Sequence, residues 1–273
     1  MKKIIFLSNW GEDNNDLLKR YSKQTPCNSG HWKTIKGVTN INEADYYIVL
    51  GGYNTSLPQH KTIFIKREPN YIDSRKSKYI HSIDWENSHC GITWWINKSY
   101  DELKSMVCGK KSKDISCVVS SKHSHRNNYV KSLFKRDSPI DLYGKGHQVN
   151  FYGENYKGQL NYDGKCKIRG LLDYKYSIAL ENSRQNNYFT EKFADAVLSW
   201  TVPIYWGCPN IADYFPEEAY HTIDINSNSP TEDIYNIIKY PVNYTALEVA
   251  RDNILDKYNI WEIIHTYIYN LER

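Results

Sequence analysis

The chain has 273 residues, which suits two domains of ordinary size or one large one. Its formal net charge is +4, and the lysines and arginines are scattered along the chain instead of forming a dense basic stripe, which argues against a nucleic-acid partner. The six cysteines form no Cys-x-x-Cys pair and no Cys/His metal spacing, so reduced thiols are expected.

The first third of the chain alternates short apolar runs with polar loops, as one α/β domain does. Strands are predicted at 4–7, at 45–50 before two glycines, and at 62–66 before an Arg-Glu-Pro tripeptide. The run at 4–7 is too short for a membrane span or a secretory leader. No transmembrane segment is therefore predicted, and a cytoplasmic location is expected.

A second α/β domain is predicted after residues 101–113, which are rich in Lys and Ser and contain few apolar residues. We place the boundary near the end of that segment, which gives an N-terminal domain at 1–112 and a C-terminal domain at 113–273. The second domain is predicted to begin with a strand at 115–119, a helix at 126–134, a strand at 140–143 and an irregular segment at 144–168.

The segment that follows predicts a strand-helix-strand unit. Tyr176, Ile178 and Leu180 alternate with smaller residues as in a half-buried strand, and the side chains of 181–183 are expected to turn toward solvent. Thr190 stands at the N-cap position of a helix with one apolar face, and 201–207 forms a further strand. The tail at 245–271 is predicted to be helical, with an apolar stripe.

Polar residues follow several of these predicted strands, where ligands bind in open α/β sheets. They are Glu68, Ser120, Ser121, Gly144 and Asn182. The helix after Thr190 begins with Glu191 and Lys192, so its unpaired backbone N–H groups and one lysine charge are available to a diphosphate. The pattern therefore predicts a site for an anionic ligand such as a nucleotide sugar.

Three motifs within residues 175–215 carry a family resemblance, namely ALENS at the end of a strand, YFTEK at a helix start and PIYWGCP in the next strand. Together they closely resemble the signature of the α1,3-fucosyltransferase family. The resemblance implies a GT-B fold, which is an α/β fold with two Rossmann-like domains, a cleft between them and a C-terminal helix that packs back on the first domain. It also implies GDP-fucose as the donor, inversion at the anomeric carbon, and neither a metal nor another cofactor. A soluble bacterial-type or viral-type member is expected.

The resemblance further implies roles for individual residues. Four of them would contact the ribose, base, fucose and phosphates of the donor, and an arginine at a helix start would bind the diphosphate. Ser121, where the family commonly has Asn, and Tyr143 are weaker candidates. The implied donor-binding residues are Asn182, Tyr188, Glu191, Lys192, Arg126, Ser121 and Tyr143. Structural roles stay open for three of them: helix capping for Glu191, a buried hydrogen bond for Asn182 and a solvated helix start for Arg126.

Glu68 is the candidate general base. It precedes Pro69, which restricts the backbone before it to an extended conformation. The tripeptide resembles the family's Glu-x-Pro motif, although this chain has Glu-Pro-Asn where the family has Glu-Ser-Pro. The alternative is a surface glutamate that pairs with Arg67 or Lys66.

Glu86 is the rival carboxylate for the same role. Trp94 and Trp95 follow it and are candidates for the edge of an acceptor site. Glu181 is expected to be structural.

The sequence therefore predicts a metal-independent, inverting transferase that moves L-fucose from GDP-fucose to a hydroxyl of a glycan acceptor. No Asp-x-Asp motif of the metal-dependent kind occurs. The alternatives are a transferase for another nucleotide-activated hexose or deoxyhexose, and a non-catalytic glycan-binding module of the same fold. Acceptor, linkage and oligomeric state do not follow from the sequence.

Overall fold

A computed structural model describes residues 1–70, 72, 77–134, 138–160 and 167–273. The N-terminal part contains six described strands: β1 Lys2–Ser8, β2 His31–Trp32, β3 Ile35–Gly37, β4 Tyr46–Leu50, β5 Thr62–Ile65 and β6 His81–Ile83. They form one sheet in the order β2-β3-β1-β4-β5-β6. All neighbours are parallel except β2 and β3. Two helices accompany this sheet, α1 Asn14–Ser22 and α2 Tyr100–Ser105.

The C-terminal part contains a second sheet whose described strands are all parallel. They are β7 Lys113–Val118, β8 Ile140–Tyr143, β9 Tyr156–Gly158, β10 Tyr174–Leu180, β11 Val202–Trp206 and β12 His221–Thr222. Their order is β12-β11-β10-β7-β8-β9. The described helices are α3 Ser124–Leu133, α4 Val149–Tyr152, α5 Glu191–Leu198, α6 Pro230–Ile237, α7 Tyr244–Asp252 and α8 Ile260–Leu271.

The predicted strands at 4–7, 45–50, 62–66, 115–119 and 140–143 are confirmed as β1, β4, β5, β7 and β8. The prediction of an irregular segment at 144–168 is wrong in part, because α4 and β9 lie within it. These elements have 4 and 3 residues, too few for a periodic pattern to appear. Residues 161–166 of that segment lie outside the described residues.

The helix-strand unit is confirmed, but its predicted burial is wrong. Every residue of β10 is buried except Lys175, and every residue of α5 from Phe193 to Leu198 is buried. A central strand of a parallel sheet is covered by helices on both faces, so it is apolar on both sides instead of alternating. The prediction that Glu181 turns toward solvent is also wrong, since its side chain is fully buried.

The C-terminal helix returns to the first domain, as predicted. Trp261 in α8 packs edge-on against Phe6 of β1, and its indole N–H donates to the backbone carbonyl of Tyr21 at 2.8 Å. The tail is not one continuous helix. A π-helical turn at Asn253–Lys257 follows α7, and the buried side chain of Asn259 caps α8 by accepting the N–H of Trp261.

No helix in the described part of the chain has the length and apolar character needed to cross a bilayer. The five described cysteines are free thiols, and Cys166 lies outside the described residues. The predicted domain boundary at 112 and 113 stays a prediction; β7 begins at Lys113.

Candidate functional site

The loop at 184–190, which leads into α5, is held against the first domain by three hydrogen bonds. The side-chain amide of Asn187 donates to the carbonyl of Trp85 at 3.0 Å, and the carbonyl of Asn187 accepts from Nδ1 of His89 at 3.1 Å. The side-chain oxygen of Gln185 accepts the N–H of Asn70 at 3.0 Å. The start of α5 is therefore fixed relative to the ends of the N-terminal strands.

Aromatic packing reinforces this attachment. Phe189 stacks on His89 with ring centroids 3.8 Å apart, and Tyr188 meets Trp85 edge to face at 5.0 Å. Burial lowers the pKa of His89 to about 3, so its ring is neutral in the folded protein. Tyr188 belongs to the hydrophobic cluster of the first domain, although the sequence places it in the second.

The start of α5 is built around a buried carboxylate. Thr190 is the N-cap residue, and its hydroxyl oxygen accepts the N–H of Lys192. Glu181, at the end of β10, accepts the N–H and the hydroxyl of Thr190, both at 2.7 Å. Burial raises the pKa of Glu181 against the opposing charge of Lys192. The predicted structural role of Glu181 is thus explained by its contacts with the cap.

Gly207 completes the same arrangement. A Cβ atom at this residue would lie 2.4 Å from Cγ of Glu181 and 2.5 Å from the hydroxyl of Tyr205. The glycine of the PIYWG motif is therefore required because the buried glutamate and the tyrosine of β11 occupy that space.

Lys192 lies among carboxylates in the first turn of α5. Its ammonium group is 2.9 Å from Oε1 of Glu191 and 3.6 Å from Oε2 of Glu181. Burial opposes its charge, but the two carboxylates outweigh burial and raise the pKa of Lys192. For Glu191, burial is in turn outweighed by Lys192 and Lys167, which hold its pKa at about 2. Both groups are therefore charged at neutral pH.

A cavity of about 140 Å³ lies between the two sheets at this point, and we call it the inter-sheet cavity. It brings together five of the predicted site residues: Glu68, Asn182, Tyr188, Glu191 and Lys192. Its volume is below the roughly 300–1,000 Å³ of sites that enclose a whole drug-sized ligand. It therefore has room for part of a nucleotide sugar.

Glu68 contributes the only carboxylate of the N-terminal domain that lines the inter-sheet cavity among the described residues. Desolvation by the walls raises its pKa, Lys192 lowers it and Glu191 raises it further. The side chain of Glu68 is exposed and the charge of Arg67 also lowers its pKa, but no described ion pair joins Glu68 to Arg67 or Lys66. Arg67 donates to the carbonyl of Gly91 and the hydroxyl of Thr93, and Lys66 bonds to Asn70.

Glu86 occupies a different environment. The side chains of Glu68 and Glu86 are both exposed, but the carboxylate of Glu86 accepts the side-chain amide of Asn70 at 2.9 Å. It is not among the described residues that line the inter-sheet cavity.

Arg126 lies behind the cavity, with only 4% of its surface exposed. One terminal nitrogen donates to the carbonyl of Leu180 at 3.2 Å, while Nε has no partner among the described residues. Burial lowers its pKa, and the carboxylates of Glu181 and Glu191 oppose that effect. The alternative of a solvated helix-start arginine does not fit this burial.

Two further predicted residues lie elsewhere. The hydroxyl of Ser121 donates to the carbonyl of Gly146 at 2.9 Å, beside a separate cavity of about 130 Å³ at the ends of β7 and β8. The hydroxyl of Tyr143 pairs with that of Tyr174 at 2.8 Å. Neither is among the described residues that line the inter-sheet cavity. Their roles in donor binding stay predictions.

Sequence reasoning missed three residues of this region. Arg67 lines the cavity and anchors the segment at 90–93, and Thr93 lines the same wall. The charge of Lys122 acts on Glu68, and therefore reaches the cleft from the loop after β7. The available signal was proximity in sequence, since Arg67 and Lys122 directly adjoin predicted site residues.

Within the described ranges, no group of three or more His, Cys, Asp or Glu side chains is arranged to hold a metal ion.

Comparison with known proteins agrees with this architecture. The crystal structure of an α1,3-fucosyltransferase with GDP superposes with a TM-score of 0.50 and 20% identity, and the alignment covers 100% of this chain and 90% of that chain. The chain therefore has the GT-B fold, with two parallel-rich sheets and a cavity between them. Residues 108–241 match the model of glycosyltransferase family 10 (fucosyltransferase), C-terminal part, which supports the predicted fucosyltransferase family for that segment.

Individual relatives match about a third of the chain. An α-(1,3)-fucosyltransferase of Helicobacter pylori is 33% identical over 88 residues, which are 32% of this chain and 18% of that protein. A GDP-fucose protein O-fucosyltransferase of Rattus norvegicus is 34% identical over 93 residues, which are 34% of this chain and 19% of that protein. The matched segments thus span about a fifth of these curated relatives.

Proposed function

We propose that the chain is an inverting, metal-independent fucosyltransferase that transfers L-fucose from GDP-fucose to a hydroxyl of a glycan acceptor. Glu68 removes the proton of that hydroxyl while its oxygen attacks the anomeric carbon from the face opposite the diphosphate. The bond from the anomeric carbon to the phosphate oxygen breaks, and GDP leaves with the electron pair. The new glycosidic bond therefore has the inverted configuration.

One observation carries this proposal. The carboxylate of Glu68, after β5 of the first sheet, lies across a single cavity from Lys192 at the start of α5. A base on one wall and a cation on the other suit a reaction in which a proton is lost on one side of the anomeric carbon and negative charge develops on the other. The raised pKa makes Glu68 a stronger proton acceptor than a solvated glutamate.

The charge of the leaving diphosphate is balanced by the protein in this proposal. Lys192 has an ammonium group at the cavity wall, and the N-terminus of α5 adds backbone N–H groups. Behind the cavity, Nε of Arg126 has no hydrogen-bond partner in the described part of the chain. The small inter-sheet cavity has room for part of the donor, and the rest of the nucleotide sugar extends outside it in this proposal.

The proposal is tested by incubating the protein with radiolabelled GDP-fucose and a panel of oligosaccharide acceptors, with EDTA or with added manganese. We expect transfer that EDTA leaves unchanged, with GDP as a stronger inhibitor than UDP. Activity lost in EDTA and restored by manganese would remove the metal-free mechanism. Preference for UDP would favour another nucleotide-activated sugar, and glycan binding without nucleotide binding would favour a non-catalytic module.

A further inference from the structure

Two histidines lie at the start of α3, directly before Arg126. His123 is the N-cap residue of this helix, but its side chain accepts no N–H of the helix among the described residues. His125 lies in the first turn, and the centroid of its ring is 6.1 Å from that of His123. We call these two residues the histidine pair.

The ring of His125 lies at the edge of the second sheet where the parallel strands end. Its centroid is 5.5 Å from that of Trp206, the last residue of β11. In the sheet, β10 lies between β11 and β7, the strand that precedes α3. The contact therefore crosses the carboxyl end of β10, where ligands bind in open α/β sheets. Nε2 of His125 is buried and has no hydrogen-bond partner within the described ranges, so it is available to a ligand.

Cations surround the histidine pair. Lys122 precedes it in the loop after β7, Arg126 follows it in α3, and the charge of Lys192 reaches it from the start of α5. Burial lowers the pKa of His123, and these neighbouring charges help to bring it to about 4. Burial and Arg126 also lower the pKa of His125. Both rings are therefore largely neutral at pH 7 in the free protein.

The carboxylates of the donor site act mainly on other groups. Glu181 and Glu191 raise the pKa of Lys192 and also act on Arg126. For the histidine pair, by contrast, the largest effects after burial come from groups that are cationic or become cationic on protonation. An anion bound between α3 and α5 would reverse this balance, because a nearby negative charge favours the protonated form of an imidazole.

We propose that the histidine pair takes up one proton from solvent when the diphosphate of the donor binds between α3 and α5. The negative charge of the diphosphate stabilises a protonated ring beside it. Two charged rings at this separation would repel each other, so one proton is taken up instead of two. This inference rests on the proposed function and deepens it, because it makes donor binding tighter as the pH falls.

Isothermal titration calorimetry with GDP-fucose tests the inference, because the diphosphate of this donor does not itself titrate between pH 5.5 and pH 7.5. If the bound pair recovers the ordinary pKa of 6.5, the dissociation constant should be about tenfold lower at pH 5.5 than at pH 7.5. At pH 6, titrations in cacodylate and in imidazole buffer should differ in heat by the uptake of about 0.7 proton.

Variants separate the histidine pair from other titrating groups. The double variant with His123→Gln and His125→Gln should show a dissociation constant that changes by less than about twofold over the same pH range. His221→Gln is the matched control, because burial also lowers the pKa of this histidine and it lies on β12 at the far edge of the sheet. Glu68→Gln should keep the wild-type pH dependence as well, which distinguishes the pair from the carboxylate of Glu68, whose pKa is raised.

Three results would overturn the inference: a dissociation constant of the wild type that does not change with pH, uptake of a proton by the double variant as by the wild type, or loss of the pH dependence in Glu68→Gln. Histidine NMR signals of the wild type give a readout that needs no variant. One imidazole should titrate at a higher pH with GDP-fucose than without it, and unchanged titrations would contradict the proton uptake.

The same titrations keep this inference separate from the proposed function. Binding of GDP-fucose without proton uptake contradicts the histidine pair alone. Proton uptake on binding of UDP-glucose, with no binding of GDP-fucose, supports the pair and contradicts the proposed donor. Proton uptake with GDP-fucose but no transfer to any acceptor supports the pair and contradicts the proposed reaction. Absence of binding by both nucleotide sugars contradicts both.

Discussion

The hydroxyl of Thr190 joins the cap of α5 to the buried Glu181, so removing it should destabilise the protein measurably. Thr190→Ala removes the N-cap acceptor, which typically costs about 1 kcal/mol, and the 3.4 Å separation from the N–H of Lys192 suggests no more than that. It also removes a 2.7 Å hydrogen bond to a fully buried carboxylate, worth about 1.5–3 kcal/mol. The expected loss in free energy of unfolding is therefore about 2–4 kcal/mol.

Urea unfolding at neutral pH measures this loss as a lower midpoint with an unchanged slope. Thr190→Ser is the matched variant, since it removes the same methyl group as alanine but keeps the hydroxyl. We expect Thr190→Ser to stay close to wild type and Thr190→Ala to fall well below it. Equal stability of the two variants would refute the role of the hydroxyl.

Two other expectations concern His89 and Lys192. The pKa of His89 is lowered from its ordinary value of 6.5 to about 3 in the folded protein. Below pH 6.5 the unfolded chain therefore binds a proton that the buried ring does not, so the free energy of unfolding falls as the pH is lowered from 6.5 toward 3. Between pH 7 and pH 4.5 the wild type should lose about 2–3 kcal/mol more than His89→Gln in chemical unfolding, and parallel pH profiles would contradict this. Lys192→Ala should weaken GDP binding and lower turnover together by about 2–4 kcal/mol, whereas Lys175→Ala, which removes an exposed lysine paired with Asp114, should not. Unchanged GDP affinity by calorimetry would exclude Lys192 from the donor site.

The region around α5 could be predicted closely because its determinants are local. The cap at Thr190, the charges of the first turn and the strand that follows all lie within one short stretch of sequence. Burial could not be predicted in the same way. Whether β10 is covered on one face or two depends on which helices cover the sheet, and the alternation of Tyr176, Ile178 and Leu180 contains no information about them.

The contacts that bring the two halves of the site together link residues about 100 positions apart. Trp85 packs on Tyr188, and the N–H of Trp95 binds Asp195. No periodicity relates such pairs, so the sequence predicts only a ligand contact for Tyr188 and no role for Asp195. Glu68 was identifiable because it ends a strand and precedes a proline, but its cavity could be defined only once Lys192 was seen on the opposite wall.

The central claim is that Glu68 is the general base, and Glu68→Gln tests it most directly. Glutamine keeps the size and hydrogen bonding of the side chain but cannot take the proton, so calorimetry should show GDP-fucose binding preserved while kcat for transfer falls by about 10²- to 10⁴-fold. Glu86→Gln is the control, because its carboxylate is bonded to Asn70 and Glu86 is not among the described residues that line the inter-sheet cavity. Near wild-type transfer by Glu68→Gln together with inactive Glu86→Gln would contradict the account and make Glu86 the base.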